Sequence, residues 1–166
     1  MNKSDTLIFT IKNQEEMTQF ACDFSRLLSP NHFIAMQGEV GVGKSTFVRA
    51  AIQFLCQEPD LIVPSPTFTL FQQYDAPIAS IIHADFYRLS SPEEVEDLGW
   101  FDLIQDAILF VEWPENIADI MPETHISVKI VDDPDFFDAR EIVIQTKDMA
   151  FLNLLSNKFP TQNENA

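Results

Sequence analysis

The sequence predicts a single α/β domain with a mostly parallel central sheet, some antiparallel strands and flanking helices. Three observations lead to this prediction. The chain has 166 residues, which is the length of one ordinary domain. Short apolar runs typical of strands alternate with segments in which apolar residues recur at helical spacing. A glycine-rich loop at Gly38–Ser45 joins one predicted strand to one predicted helix, which is the order of a parallel βα unit.

The amino-terminal part contains two such strand–helix units. Asn13 followed by Glu16 is typical of a capping box, so a helix is expected to begin there and to end by Pro30. The six-residue run TLIFTI before it and the run HFIAMQ after it are apolar and strand-sized. The predicted elements are a strand over 6–11, a helix over 13–30, a strand over 32–37 and a helix over 46–57.

The rest of the chain continues the alternation and then changes to an antiparallel pattern. Pro92 after Ser91 predicts a helix start, because proline is favoured in the first helical turn. An Asp-Asp-Pro-Asp turn between two apolar runs predicts a hairpin. The predicted strands are 68–74, 78–82, 107–111, 126–131 and 141–146, with short helices from Pro114 to Met121 and over 148–156. We expect one domain over 1–158 and a disordered polar tail over 159–166.

The composition is strongly acidic. Ten Lys and Arg residues against 26 Asp and Glu residues give a net charge of −16. No two basic residues are adjacent, so no local patch departs from this average. The charge argues against a protein that binds DNA or RNA through a broad basic face, or one that binds an anionic membrane.

The cysteines and the apolar runs indicate a cytoplasmic protein. Cys22 and Cys56 are far apart and fall in helical apolar patterns, which favours two small buried side chains in a reducing compartment. The first residues lack the apolar segment of a signal peptide, and no apolar run approaches the length of a membrane span.

The glycine loop carries the strongest chemical signal. Gly38-Glu39-Val40-Gly41-Val42-Gly43-Lys44-Ser45 fits the phosphate-binding pattern GxxxxGK[ST], and it lies between a strand and a helix as that pattern requires. Glycines let the backbone wrap around phosphate oxygens, Lys44 reaches the β- and γ-phosphates, and the Ser45 hydroxyl binds Mg²⁺. The chain is therefore predicted to be a P-loop NTPase-type domain. A plain glycine turn with an incidental lysine is the alternative, and the flanking elements disfavour it.

Two acidic residues follow apolar strands and are candidates for the carboxylate that a P-loop site needs near Mg²⁺. Glu112 follows the cleaner strand, so we favour it as the carboxylate on the metal. Asp85 would be a second acid, which contacts Mg²⁺ through water or activates the attacking water. The alternative for either residue is an acid that caps a loop or faces solvent.

Four further residues near these acids are candidates with equally plain alternatives. Thr67 lies where a nucleotide-sensing switch is expected, but it also fits an ordinary proline-shaped turn. His83 is a possible ligand or base, although a histidine at a strand end is more often structural. Arg88 could stabilise charge in phosphoryl transfer or form a simple ion pair. Trp113 could be a lid over the site or part of the core.

The chain resembles the bacterial TsaE family, the P-loop ATPases that support threonylcarbamoylation of the adenosine next to the anticodon in tRNA. The resemblance covers about residues 6–145, and it rests on several blocks in order rather than on the P-loop alone. The blocks are GEVGVGKSTFVRA at 38–50, SPTFTL at 65–70, HADFYRL at 83–89, Glu93–Gly99, and VEWPE at 111–115.

The resemblance implies residue roles and two cofactors, ATP and Mg²⁺. It implies that Ser45 and Glu112 bind Mg²⁺, that Asp85 is needed for hydrolysis, and that Thr67 belongs to a mobile switch. Matching blocks also include His83, Tyr87, Arg88 and Trp113, whose individual roles it leaves open. For the adenine we expect contacts near Thr10 and Ile11 and near Asp133. The residues implied for the phosphates are Gly38, Gly41, Val42, Gly43, Lys44, Ser45 and Thr46.

The resemblance also implies partners. A chain this acidic is not expected to carry tRNA alone, and the family works with the threonylcarbamoyl transferase subunit and that subunit's partner protein. The main alternative is a small-molecule P-loop kinase, which the wide spacing of the four arginines disfavours because kinases commonly close an arginine-bearing lid. A nucleotide-sensing module that turns ATP over only inside a complex is a third reading, which the sequence does not separate from the first.

Overall fold

The computed structural model describes residues 6–159, and its centre is a seven-stranded mixed sheet. The strands are β1 (Thr6–Ile11), β2 (Phe33–Gln37), β3 (Phe71–Asp75), β4 (Ser80–Asp85), β5 (Ile108–Glu112), β6 (Ile126–Asp132) and β7 (Arg140–Thr146). The helices are α1 (Gln14–Ser25), α2 (Lys44–Cys56), α3 (Glu93–Glu96), α4 (Trp100–Leu103) and α5 (Met149–Lys158), with a 3₁₀ helix over Pro114–Ile120.

The strand order is β1-β7-β6-β2-β5-β4-β3. The four central strands, β6, β2, β5 and β4, run parallel to one another, whereas β7 and β1 on one side and β3 on the other pair antiparallel. The predicted α/β domain is therefore confirmed, as is the predicted hairpin of β6 and β7. Because β2, β4 and β5 are parallel, their carboxyl ends lie at one edge of the sheet, where α/β folds bind ligands.

Hydrophobic side chains cover both faces of the sheet. On one face Phe24 and Phe47, from α1 and α2, pack into a cluster with Phe110 of β5. On the other face Phe86 and Trp100 pack edge to face, with ring centroids 5.2 Å apart. The central strands are buried on both sides for this reason, which explains why their sequences are continuous apolar runs.

Several element boundaries differ from the prediction. Helix α1 begins after Asn13 as expected, with the Asn13 side chain accepting from the Glu16 N–H at 2.9 Å, but it ends at Ser25 rather than near Pro30. Strand β3 begins at Phe71 instead of 68, because Leu70 is in the left-handed region (φ +67°) and closes a turn to Pro66. The predicted helix after Ser91 becomes the two four-residue helices α3 and α4.

The ends of the described chain and the cysteines complete the fold. Phe159 packs against Phe9 and Phe20, with centroid distances of 5.5 and 4.7 Å. The remainder of the predicted tail, 160–166, lies outside the described residues.

Cys22 and Cys56 are free thiols. Burial raises the pKa of each thiol, and neighbouring acidic side chains raise it further. Within residues 6–159, no helix is both long and apolar enough to cross a membrane.

Candidate functional site

The glycine loop lies at the carboxyl end of β2 and leads directly into α2. Gly38 has φ +136°, and a Cβ there would collide with the carbonyl oxygen of Ile130 on β6. Gly43 has φ +120° and immediately precedes the first residue of α2. Glycine is required at both positions because other residues rarely adopt this backbone region. The first N–H groups of α2 have no partner within the helix, so they are available to an anion beside the loop.

Lys44 is buried at the start of α2, with only 7% of its surface exposed. Its Nζ donates to the backbone oxygen of Gly38 and, at 2.9 Å, to that of Glu39. The same amine lies 5.3 Å from the centroid of the Trp113 ring. These partners are neutral, so the lysine charge is not neutralised by them and can attract an anion in the cleft.

The two candidate acids stand side by side at the ends of neighbouring strands. Asp85 and Glu112 are paired in the β4–β5 register, and both are 4% exposed. The Oε1 atom of Glu112 lies 2.9 Å from Nε2 of His83, which is also buried. His83 is thus a hydrogen-bonded neighbour of Glu112, and it does not line the cleft itself.

Asp85 is bonded to the segment that follows α2. Its Oδ2 accepts from the Thr67 hydroxyl at 2.9 Å and from the Ser65 hydroxyl at 3.4 Å. Its Oδ1 accepts from the backbone N–H of Tyr87 at 2.9 Å. Both oxygens of this carboxylate therefore have partners within the protein, and Thr67 is tied to the acid at the end of β4.

An aromatic pair borders the cleft. The rings of Tyr87 and Trp113 have centroids 5.0 Å apart, and both residues line the cleft. Trp113 has φ +56°, and the left-handed backbone occurs where β5 ends and the 3₁₀ helix begins. Arg88 instead lies over the exposed ring of Phe68, 5.3 Å from its centroid, and is not a lining residue of the cleft.

These side chains surround a cleft of about 320 Å³. It gathers residues from the glycine loop, from the segment after α2 and from the ends of β4 and β5. The lining residues are Val40, Gly41, Gly43, Lys44, Ser45, Thr46, Ser65, Thr67, Asp85, Tyr87, Glu112 and Trp113. Val42 is buried under the loop and Gly38 forms its base, so neither lines the cleft.

A second cavity lies on the other side of the glycine loop, lined by residues from the end of β1, from α1 and from the β6–β7 connection. It shares Gly41, Gly43 and Thr46 with the first cleft. The predicted adenine contacts fall beside it: Ile11 is buried in the core, and Asp133 accepts from backbone N–H groups of its own turn. The cavity is lined by their neighbours Lys12, Asn13, Gln14, Met17, Asp138 and Arg140.

Ser65 and Arg140 make contacts at the site and were not among the predicted site residues. Ser65 shares Asp85 with Thr67, and the two hydroxyl oxygens lie 2.8 Å apart. Arg140 donates from Nε to the backbone oxygen of Val42 at 3.3 Å and so ties β7 to the glycine loop. Ser65 lies inside the SPTFTL block, and Arg140 begins β7 directly after an acidic turn, but neither position predicts these contacts.

The residues present fit a magnesium ion held together with a nucleotide. Ser45 and Glu112 both line the cleft, and Oε2 of Glu112 makes no hydrogen bond to any residue between 6 and 159. The described residues contain no cluster of three or more His, Cys, Asp or Glu side chains that could hold a metal alone. The hydroxyl of Ser45 and the carboxylate of Glu112 are oxygen ligands of the kind that Mg²⁺ takes beside waters and phosphate oxygens.

The parallel strands, the glycine loop between β2 and α2, and the acids at the ends of β4 and β5 define the class of this protein: it has a P-loop NTPase-type fold. The crystal structure of Bacillus subtilis YdiB has the same fold, with a TM-score of 0.74, 24% sequence identity, and coverage of 95% of this chain and 97% of that one.

Residues 11–142 match the family described as threonylcarbamoyl adenosine biosynthesis protein TsaE. The TsaE protein of Rickettsia bellii is 42% identical over 127 residues, which cover 75% of this chain and 88% of the relative. The TsaE protein of Haemophilus influenzae is 34% identical over 151 residues, which cover 86% of this chain and 92% of the relative. The chain therefore belongs to the TsaE family, and the resemblance stated from the sequence is confirmed.

Proposed function

We propose that this protein binds Mg²⁺ and ATP and hydrolyses the ATP in support of threonylcarbamoylation of tRNA. The observation that carries the proposal is the cleft at the end of the parallel strands. It combines a phosphate loop, a buried lysine and two buried carboxylates, which are the parts that phosphoryl transfer to water requires. Membership of the TsaE family supplies the pathway, tRNA threonylcarbamoyladenosine biosynthesis.

In this proposal the loop and Lys44 bind the phosphates. The N–H groups between Gly41 and Thr46 face the phosphate oxygens, and the amine of Lys44 exchanges its backbone partners for the β- and γ-phosphates. The adenine and ribose occupy the second cavity. Three residues line both this cavity and the first cleft, so a nucleotide whose phosphates lie in the first cleft can extend its base into the second cavity.

The two carboxylates have different tasks. Glu112 and the Ser45 hydroxyl bind Mg²⁺, since Oε2 of Glu112 is the carboxylate oxygen without a protein partner. Asp85, whose oxygens are already bonded, orients the attacking water or the water shell of the metal. The ion, when bound, neutralises charge that develops on the phosphate oxygens.

We further propose that the protein acts in a complex with the threonylcarbamoyl transferase subunit and its partner protein. A chain with a net charge of −16 is poorly suited to hold tRNA by itself. Exposed apolar side chains stand at and beside the mouth of the cleft, notably Val40, Phe68 and Tyr87. A protein surface that covers them would couple ATP turnover to the assembly.

The test is phosphate release from Mg–ATP by the wild-type protein and by Lys44→Ala, with and without the transferase proteins and tRNA. We expect Lys44→Ala to lower the rate about 100-fold or more, because the γ-phosphate loses its positive anchor. Lys147→Ala is the matched control, since Lys147 is exposed and lies 3.8 Å from Glu123.

The partners should raise the wild-type rate. A wild-type rate equal to that of Lys44→Ala under all conditions would contradict the proposed hydrolysis. Phosphate that appears on an added small metabolite, with no effect of the partners, would instead support the kinase alternative.

A further inference from the structure

A buried histidine stands directly behind the cleft. His83 is 2% exposed and lies on β4 next to the end of β5, where its Nε2 is 2.9 Å from Oε1 of Glu112. Glu112 lines the cleft and His83 does not. The contact with Glu112 is the one side-chain hydrogen bond that His83 makes among the described residues.

The chemistry of the contact assigns its donor. A carboxylate that binds a metal is ionised and only accepts hydrogen bonds, so in that role Glu112 takes its hydrogen bond from Nε2 of His83. Among residues 6–159, Nδ1 of His83 is the single buried side-chain nitrogen or oxygen without a hydrogen-bond partner. A buried polar atom without a partner is unfavourable. The ring is thus positioned by Glu112 and not by a second hydrogen bond of its own.

The contact also selects which oxygen of Glu112 reaches the cleft. With Oε1 bonded to His83, Oε2 makes no hydrogen bond to a described residue, and it is not among the enclosed atoms without a partner. Oε2 is thus the free carboxylate oxygen of a residue that lines the cleft. A carboxylate held at one oxygen has lost rotation about its last bond, so the direction of the other oxygen is restrained.

We propose that His83 is a positioning residue that holds Oε2 of Glu112 toward the Mg²⁺ that accompanies ATP. The inference rests on the proposed function, since it assumes that Glu112 binds the metal. Outer-shell partners of metal ligands typically change metal affinity by about 10–100-fold when they are removed. A histidine that only filled space in the core would not affect the metal selectively.

Two variants that differ by one methylene group test the reach of the donor. The amide of His83→Gln extends to about the position of Nε2, whereas that of His83→Asn stops near the position of Nδ1. The measured quantity is the dissociation constant of a fluorescent, non-hydrolysable ATP analogue, with Mg²⁺ and with EDTA. The ratio of the two constants is the gain in affinity due to Mg²⁺.

We expect His83→Asn to lower this gain about 10-fold or more without changing the affinity in EDTA, because only the metal ligand is disturbed. His83→Gln should keep most of the gain. In the Glu112→Gln background, adding His83→Asn should cause no further loss, because the two residues act as one unit. If His83→Asn does not fold, His83→Phe keeps a ring of similar size and removes the donor.

His32 supplies the control for a histidine that pairs with an acid elsewhere. Its Nε2 lies 3.6 Å from Oδ2 of Asp148, and its ring packs edge-on against Phe151, near the amino-terminal end of β2. His32→Asn should leave the gain unchanged.

Two results would overturn the inference, and they are distinguishable. If Mg²⁺ raises the affinity of the wild-type protein and raises that of folded His83→Asn or His83→Phe equally, the positioning role alone is overturned. A wild-type protein whose affinity does not depend on Mg²⁺ overturns the proposed function and the inference together.

Discussion

Asp85 and Glu112 occupy equivalent places, yet their surroundings differ. Both end a central parallel strand, both are 4% exposed, and they are directly paired across β4 and β5. Asp85 accepts from Thr67, Ser65 and the Tyr87 backbone, so both of its oxygens are occupied. The side chain of Glu112 has His83 as its one hydrogen-bond partner among the described residues, and its Oε2 has none.

The difference shows that position at a strand end does not by itself assign a role to an acid. What separates the two residues is the set of donors that the rest of the fold brings to them. The buried ring of His83, on the neighbouring strand, contacts one oxygen of Glu112 and leaves the other without a partner. Asp85 accepts hydrogen bonds from Ser65 and Thr67, so it connects the cleft to the segment that contains Thr67.

The largest effect is expected from Glu112→Gln. This change keeps the size of the side chain but removes the charge from the proposed metal ligand. ATP affinity in the presence of Mg²⁺ should therefore fall more than about 100-fold, which exceeds the usual loss when only an outer-shell partner of a metal ligand is removed. Titration calorimetry with and without Mg²⁺ measures it. Glu115→Gln, an exposed neighbour, is the control. Unchanged affinity would show that Glu112 does not bind the metal.

Asp85→Asn should separate hydrolysis from binding. The single amide oxygen can accept from Thr67 or from the Tyr87 N–H but not from both, and the amide cannot act as a base. Phosphate release should therefore fall about 100-fold while Mg–ATP affinity changes far less. Single-turnover phosphate release and equilibrium binding together measure both quantities, with the exposed Asp102→Asn as control. A loss of affinity as large as that of Glu112→Gln would erase the distinction between the acids.

The smallest effect is expected from Thr67→Val, which removes the hydroxyl bonded to Asp85 and keeps the shape. A hydrogen bond to a charged group contributes about 1.5 kcal/mol, which corresponds to roughly tenfold in an equilibrium constant. Amide hydrogen exchange in 65–70 should accelerate by about that factor. Thr69→Val is the matched control, because Thr69 is exposed. Equal exchange in both variants would show that the hydrogen bond from Thr67 to Asp85 does not restrain this segment.

The comparison of the acids also shows where sequence reasoning succeeds. The apolar runs before Asp85 and Glu112 predicted buried strands, and β4 and β5 confirm them. Parallel order then required both acids to lie at one edge with the glycine loop, because the βα pattern leaves little choice of topology. The same local reasoning was weaker at Phe68–Leu70, where a left-handed residue delays β3 and no glycine signals the turn.

The sequence by itself determined the α/β class, the glycine loop with Lys44 and Ser45, and the strand-end position of both acids, since each depends on residues close together in the chain. It also determined the family, because several short motifs occur in a fixed order along the chain. Only the tertiary structure decided what each acid contacts. The donors come from other elements: His83 is 29 residues from Glu112, and Thr67 is 18 from Asp85. Hydrogen bonds between distant residues depend on side-chain direction and packing, which local periodicity does not encode.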